Sequence, residues 1–368
     1  MTTIGIVGAS GFIGNRTVEL FSQDGFEIRP IVRTEASLSR LPQTDFDCRI
    51  ANALDRSALQ KAFEGCDVVI HSVLGSAGLI RGSVVPAYQA AQAAGVRRLI
   101  YLSTMCVHGQ APAPGTDEST PLNATHEFPY NNAKIYAERK LLQLRSKGSV
   151  EVVIFRPGIV FGPHSRWIVN LADDLLKGSA YLIQGGAGIC NTTYVDNLVH
   201  AMKLAMTVVE ADRQAFFVGE PEQVTWAEFY QPVAEALGIS MEQVPSVEIP
   251  KFKRSLKQRI LTSIWDSEVS QKVLSLIDDD LKQKLKKTLS RKKKVSSPDP
   301  QPHVTVSSSP KPVVSREMAA LQQCRYKLPL QKAQQILQYE AIASFAEASR
   351  VCIDWLAAEG YPIYQSKT

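Results

Sequence analysis

The chain has 368 residues, 45 % of them hydrophobic and 21 % charged, with a formal net charge of +5. That length suffices for a full core and a second lobe, and no run approaches the roughly 18 apolar residues a membrane span requires. The positive charge is local: residues 251 to 294 hold 14 Lys and Arg against 5 Asp and Glu, which leaves the remainder four charges negative and argues against a nucleic-acid-binding surface.

The elements follow in chain order. A short apolar run, Ile4 to Val7, leads into "GASGFIG", with Gly8, Gly11 and Gly14 spaced by two residues, and then into helical periodicity over Phe12–Ser22. Strand, glycine turn and helix N-terminus together form the setting in which backbone amides and the helix dipole hold a pyrophosphate. Further strands are expected at Ile28–Val32, Val68–Ile70 and Leu99–Leu102, and helices at Arg56–Phe63 and Val84–Ala94. Apolar strands alternating with helices predict a mostly parallel sheet covered on both faces. A Pro- and Gly-rich loop at 108–129 precedes a helix over about Asn131–Ser146 and a strand at Val150–Phe155. "RPGIVFGPHSRW" reads as a turn at the rim of a cleft, 167–178 as a helix, and "GGAG" at 185–188 as another turn. Asp196 is placed to cap the helix that follows "TYVDN". Residues 225–295 read as mostly helical and increasingly basic, 296–315 as a flexible linker, and the segment from Ser315 to Tyr361 as amphipathic helix.

Tyr130 and Lys134 stand four positions apart and share one helix face. An ammonium beside a phenol stabilises phenolate and lowers the tyrosine pKa, so that the phenol can exchange a proton with an alcohol. "LIYLST" ends a strand with Ser103 and Thr104, hydroxyls at the C-terminal rim of a sheet, where open α/β sheets bind ligands. The six cysteines and six histidines are dispersed without metal-ligand spacing. They point to a reducing, cytoplasmic setting and to no metal site; Cys106 and Cys190 read as small buried hydrophobes. The first residues lack the basic stretch, apolar core and cleavage site of a signal peptide, so none is expected.

Seven ordered motifs carry a family resemblance: "GASGFIG", "ANALD" at 51–55, "DVVIH" at 67–71, "LIYLSTMCVHG" at 99–109, "YNNAK" at 130–134, "RPGIVFGP" at 156–163 and "TYVDN" at 193–197. With them the chain resembles an extended short-chain dehydrogenase/reductase, the family of NAD-dependent epimerases and dehydratases, 3β-hydroxysteroid dehydrogenases and dihydroflavonol-type reductases. The resemblance implies an α/β fold, a Rossmann-type doubly wound parallel sheet with a smaller C-terminal substrate lobe, here carrying a basic helical insertion. The expected organisation is a dinucleotide-binding core over 1–165, a substrate lobe over 166–295 interleaved with core elements near 190–220, the linker, and a C-terminal helical part of the lobe over 316–368.

Residue by residue, the resemblance implies that Gly8, Ser10, Gly11 and Gly14 surround the pyrophosphate and that Phe12 and Ile13 contribute backbone contacts. Thr104 takes the catalytic hydroxyl position with Ser103 beside it. Tyr130 is the acid/base, Lys134 holds the nicotinamide ribose, and Pro157 and Gly158 pass near the carboxamide. Two departures narrow the chemistry. Asn52 stands where an aspartate is frequent, and Met105 and Cys106 replace the Asp and Glu that a sugar dehydratase places after its threonine. The helix after "HSVLG" offers Ile80 or Pro86 where an asparagine is usual.

Arg33 follows the second strand where an NAD-specific site carries an acid, with Arg29 and Glu35 close by in sequence. An arginine there pairs with a 2′-phosphate, so NADP is expected, with NAD the alternative. The leading expectation is an NADP-dependent carbonyl reductase or alcohol dehydrogenase acting on a small-molecule carbonyl or alcohol. The alternatives are a nucleotide-sugar 4-epimerase and a non-catalytic dinucleotide-binding scaffold. The resemblance also implies a homodimer. In the basic stretch, Phe252, Leu256, Ile260, Ile264 and Trp265 approximate one apolar face. This suits a helix packed over the site, or a peripheral membrane or lipid-substrate contact through 251–294.

Overall fold

A computed structural model describes residues 2–42, 45–252 and 312–364. The basic insertion and most of the 296–315 linker lie outside the described residues. Seven parallel strands form the central sheet: β1 (Thr3–Val7), β2 (Glu27–Val32), β3 (Arg49–Ile50), β4 (Val68–His71), β5 (Arg98–Leu102), β6 (Glu151–Phe155) and a short edge strand β10 (Ala215–Phe216). Their order is β10-β6-β5-β4-β1-β2-β3. The chain winds outward from β1 through β2 to β3, then returns to β4 on the other side of β1 and winds the opposite way. The reversal lies between β1 and β4, which opens the crevice at the carboxyl ends of those strands.

Side-chain alternation along each strand feeds two cores. On β5, Leu99 and Tyr101 face one layer while Ile100 and Leu102 face the other; on β6, Val152 and Ile154 oppose Val153 and Phe155. Burial on both faces is why these strands read as unbroken apolar runs. One layer holds α1 (Phe12–Gln23) and α6 (Val195–Ala205), and the other holds α2 (Arg56–Phe63), α3 (Ala77–Ala93) and α4 (Pro129–Arg145). The helix α3 begins seven residues earlier than the periodicity predicts, because Ser76 caps it by accepting from the Leu79 amide at 3.3 Å.

A third core forms the C-terminal lobe around α5 (Arg166–Leu176), α7 (Trp226–Ala236) and the returning segment. It is rich in rings: Trp226, Phe229, Phe161 and Phe345 pack with centroids 5.7–6.2 Å apart. Four short strands pair in two small sheets outside the central one, of which the three at 159–161, 182–183 and 246–247 were not predicted. Strand β7 (Ile159–Phe161) pairs in parallel with β9 (Thr192–Tyr194), and β8 (Leu182–Ile183) with β11 (Ser246–Val247). The expected turn at 185–188 is present, with Gly185 and Gly186 both at positive φ. After residue 312 the amphipathic segment is three helices, not one: α8 (Arg316–Leu321), α9 (Gln331–Leu337) and α10 (Phe345–Ala358). Pro329 and the left-handed Gln338 interrupt it. Asp196 does not cap α6. Its carboxylate instead takes two hydrogen bonds from Arg16 on α1, at 2.6 and 2.7 Å, which ties the two helices of one layer together.

Candidate active site

The chain leaves β1 at Val7 and turns at Gly8, with φ of 86°, into α1, whose N-cap is Gly11. A side chain at Gly14 would set its Cβ 2.3 Å from the Gly8 carbonyl oxygen, so glycine is what lets the helix close onto the turn. No side chain caps α1. The first-turn amides of Phe12 and Ile13 therefore face outward without intrahelical acceptors, at the positive end of the helix dipole. Ser10 lies half-buried in the same turn. The residues fit a pyrophosphate.

Beyond the glycine turn, Arg33 is exposed directly after β2. Arg29 is not available to it: its guanidinium bonds the Glu64 carbonyl and pairs with Glu27 and Asp47. Asn52 is exposed after β3, and its Oδ1 accepts from the Leu54 amide at 3.1 Å, leaving its amide group outward.

At the other end, β5 delivers Ser103 and Thr104 to the rim, and α4 lays Tyr130 and Lys134 across it. The Thr104 hydroxyl accepts from the Cys106 amide at 3.2 Å and stands close enough to the Tyr130 phenol to act on its pKa. Burial pushes the Tyr130 phenol well up, with Cys106 adding to this and Thr104 opposing it. Lys134 is buried and donates to the Leu102 carbonyl at 2.6 Å. Its ammonium lies 4.9 Å from the centre of the Tyr101 ring and 5.9 Å from that of Tyr130. Burial lowers its own pKa to about 7, partly offset by Glu138.

The two do share one face, and burial, the largest cause acting on the phenol, works against the lowering expected from the lysine.

Ser103 donates to Glu138, which is also gripped by Arg156 through Nη2 at 2.7 Å and Nε at 3.1 and 3.2 Å. Pro157 accepts from the Met105 amide at 2.9 Å, and the Gly158 amide donates to Thr193 Oγ1 at 3.0 Å. Both thus stand beside Thr104 with their backbones already braced. Cys106 and Cys190 are buried, and burial pushes the Cys106 thiol up to about 12 and the Cys190 thiol up as well. Such thiols stay protonated and inert.

A model of the NAD dependent epimerase/dehydratase family matches residues 4–219, from the first strand to the edge strand β10 and just beyond. The chain belongs to that family.

Its membership in the epimerase/dehydratase family makes the chain an NAD(P)-dependent enzyme of oxidoreductase or epimerase type. A 3 beta-hydroxysteroid dehydrogenase/Delta 5-->4-isomerase of Mycobacterium tuberculosis is 26 % identical over 256 residues, 63 % of this chain and 69 % of that protein. A UDP-glucose 4-epimerase of Thermotoga maritima, solved with UDP-glucose, superposes with a TM-score of 0.69 at 15 % identity, over 97 % of this chain and 99 % of that one. A dTDP-glucose 4,6-dehydratase of Streptomyces venezuelae, solved with NAD and TYD, gives a TM-score of 0.69 at 17 % identity over 97 % of each chain. At these identities the solved structures establish the fold.

Within this family member, three side chains at the rim escaped the sequence reading. Glu138 continues the Tyr130–Lys134 spacing by one more turn, a signal that was legible. Tyr101 and His71 were hidden in apolar strands; both are almost fully buried, their rings 5.5 Å apart. Among the described residues no group of three or more His, Cys, Asp or Glu side chains is placed to hold a metal ion. No described helix is long and apolar enough to cross a membrane.

Proposed function

We propose that the chain interconverts a secondary alcohol and a ketone on a small-molecule substrate, with Tyr130 as the acid/base. The observation that carries this reading is the placement of Tyr130 at the sheet rim beside Thr104, one helical turn from the buried Lys134, whose ammonium lies 5.9 Å from the centre of the Tyr130 ring. A bound nicotinamide dinucleotide supplies or accepts the hydride. Thr104 Oγ1 orients the substrate oxygen, and Tyr130 Oη donates a proton to it during ketone reduction or takes one during alcohol oxidation. Burial keeps Tyr130 in its phenol form at neutral pH, the form ready to donate. Lys134 Nζ holds the ribose hydroxyls, and the uncapped start of α1 holds the pyrophosphate.

Two cycles use this step. In net carbonyl reduction the dinucleotide exchanges; in a nucleotide-sugar 4-epimerase the hydride returns to the same substrate. The names of the solved neighbours favour the epimerase cycle over the net reduction expected from the sequence, whereas the M. tuberculosis relative is named a dehydrogenase. Met105 and Cys106 after Thr104 speak against dehydration. Protein purified without added nucleotide, then denatured, separates the cycles. Released NAD near one per chain marks the epimerase cycle; an empty protein that takes up NADPH or NADH marks the exchanging reductase. Failure to bind either cofactor would sink the reading.

For the cofactor, the solved neighbours carry NAD in their descriptions, while Arg33 stands exposed where a 2′-phosphate would lie. We expect Arg33→Ser to weaken NADPH binding about 10- to 100-fold, the worth of one charge-assisted hydrogen bond, while leaving NADH unchanged. Fluorescence titration of both cofactors checks this. An NADPH-to-NADH affinity ratio equal to that of the unaltered protein would remove Arg33 from the phosphate site.

A further inference from the structure

Lys134 poses a problem of charge. It sits at 3 % exposure, and among the described residues its ammonium donates one hydrogen bond, to the Leu102 carbonyl. A buried ammonium needs a counter-charge. The carboxylate nearest in sequence, Glu138, is occupied by three hydrogen bonds from Arg156 and one from Ser103. The other groups around Lys134 are Tyr130 on its own helix, Tyr101 on β5 and His71 on β4. His71 carries no negative charge, and burial together with Lys134 lowers its pKa to about 3, so it stays neutral. Glu138 offsets the burial only in part and at a distance, and the group in direct contact is the face of the Tyr101 ring, 4.9 Å from the ammonium.

We propose that the aromatic face of Tyr101, with the neutral His71 ring packed beside it, is the positioning element that holds the charged Lys134 beneath the ribose site. The attraction is that of a ring quadrupole for a cation, and it is strongest where water is excluded. Several features agree. Neither ring nitrogen of His71 nor the Tyr101 hydroxyl has a hydrogen-bond partner among the described residues, so no hydrogen bond accounts for the polarity of these two side chains. Tyr101 is fixed by its register between His71 of β4 and Ile154 of β6. The ring is 1 % exposed and packed within the core, which confines it beside the lysine. The ribose contact is part of the function proposed above and rests on it; the coupling of Tyr101 to Lys134 does not.

The test uses full-length protein labelled with ε-¹³C-lysine, with the Lys134 resonance assigned by its loss in Lys134→Met. Its pH titration is followed in unaltered protein, in Tyr101→Phe, which keeps a ring face, and in Tyr101→Leu, which removes it. We expect the proton affinity of Lys134 to fall about three- to thirty-fold in Tyr101→Leu, the range of a desolvated cation–π contact, and to stay within about twofold in Tyr101→Phe. Tyr101→Met gives the same comparison if the leucine variant does not fold. A Lys134 titration unchanged in the ringless variant, or equally shifted in Tyr101→Phe, overturns the inference. Binding of NADH and NADPH by the same variants is read separately. If the titration moves as expected and binding does not, Tyr101 positions Lys134 as inferred, and it is the ribose role of Lys134 that fails.

Discussion

Tyr130→Phe is expected to lose turnover by about 10²- to 10⁴-fold, the usual worth of a positioned general acid/base, while NAD(P)H binding and the fold persist. The substitution removes one oxygen from a half-buried ring and keeps its packing against the core that contains Ala133 and Ala137. Thr104 beside the lost hydroxyl retains its bond from the Cys106 amide, so the rim does not collapse. Without the phenol, the forming alkoxide has Thr104 to orient it but no proton source of matched reach. Single-turnover kinetics on the best alcohol or ketone found for unaltered protein, alongside cofactor titration and thermal unfolding, separate catalysis from binding. Unchanged turnover would move the acid/base role off Tyr130. Lost turnover with intact cofactor binding would set aside the non-catalytic scaffold.

A second large effect concerns stability. Glu138 and Arg156 are exposed by only 2 % and 6 % at their side chains and are bonded in a fork. Replacing Glu138 by Gln leaves a guanidinium buried without its counter-charge, which costs about 3–5 kcal/mol. In a domain of this size that corresponds to a fall of about 10 °C in Tm. The double replacement Glu138→Leu with Arg156→Met is expected to cost less than the sum of the singles, because it removes both charges together. Urea unfolding of the unaltered protein, Glu138→Leu, Arg156→Met and the double replacement closes the cycle, with Glu138→Gln measured beside them. A Glu138→Gln midpoint equal to the unaltered one would mean that the pair contributes nothing net. Because Ser103 donates to the same carboxylate, the single variant also loosens the strand end that carries Thr104.

The central strands were legible because burial on both faces leaves no polar position to confuse the pattern, and the glycine turn was legible because its spacing reflects one close approach, Gly14 against the Gly8 carbonyl. Tyr130 and Lys134 were legible for a local reason, the helical repeat. What escaped depends on partners far apart in sequence. Asp196 looks like a cap until Arg16, 180 positions away, is seen to claim it. The two-residue strand β10 has no periodicity to read and exists because β6 offers an edge. The lysine was expected to tune the tyrosine because sequence spacing reports proximity, whereas the pKa of each group follows from solvation, which the spacing does not carry.

The returning segment has a consequence for biosynthesis. Asn197, at the start of α6, bonds the amides of Ile342 and Ala343 and the carbonyl of Ala343; Asn191 bonds the Leu328 amide and the Tyr326 carbonyl. Both asparagines are buried, and their partners lie 135 to 146 positions further along the chain. The first sheet strands can pair while translation continues, but the C-terminal lobe must wait with two unpaired asparagine side chains until residues 326–343 emerge. A stop codon anywhere in that stretch therefore leaves a nascent chain with a formed sheet, an open ring-rich core and a ready target for chaperone and protease.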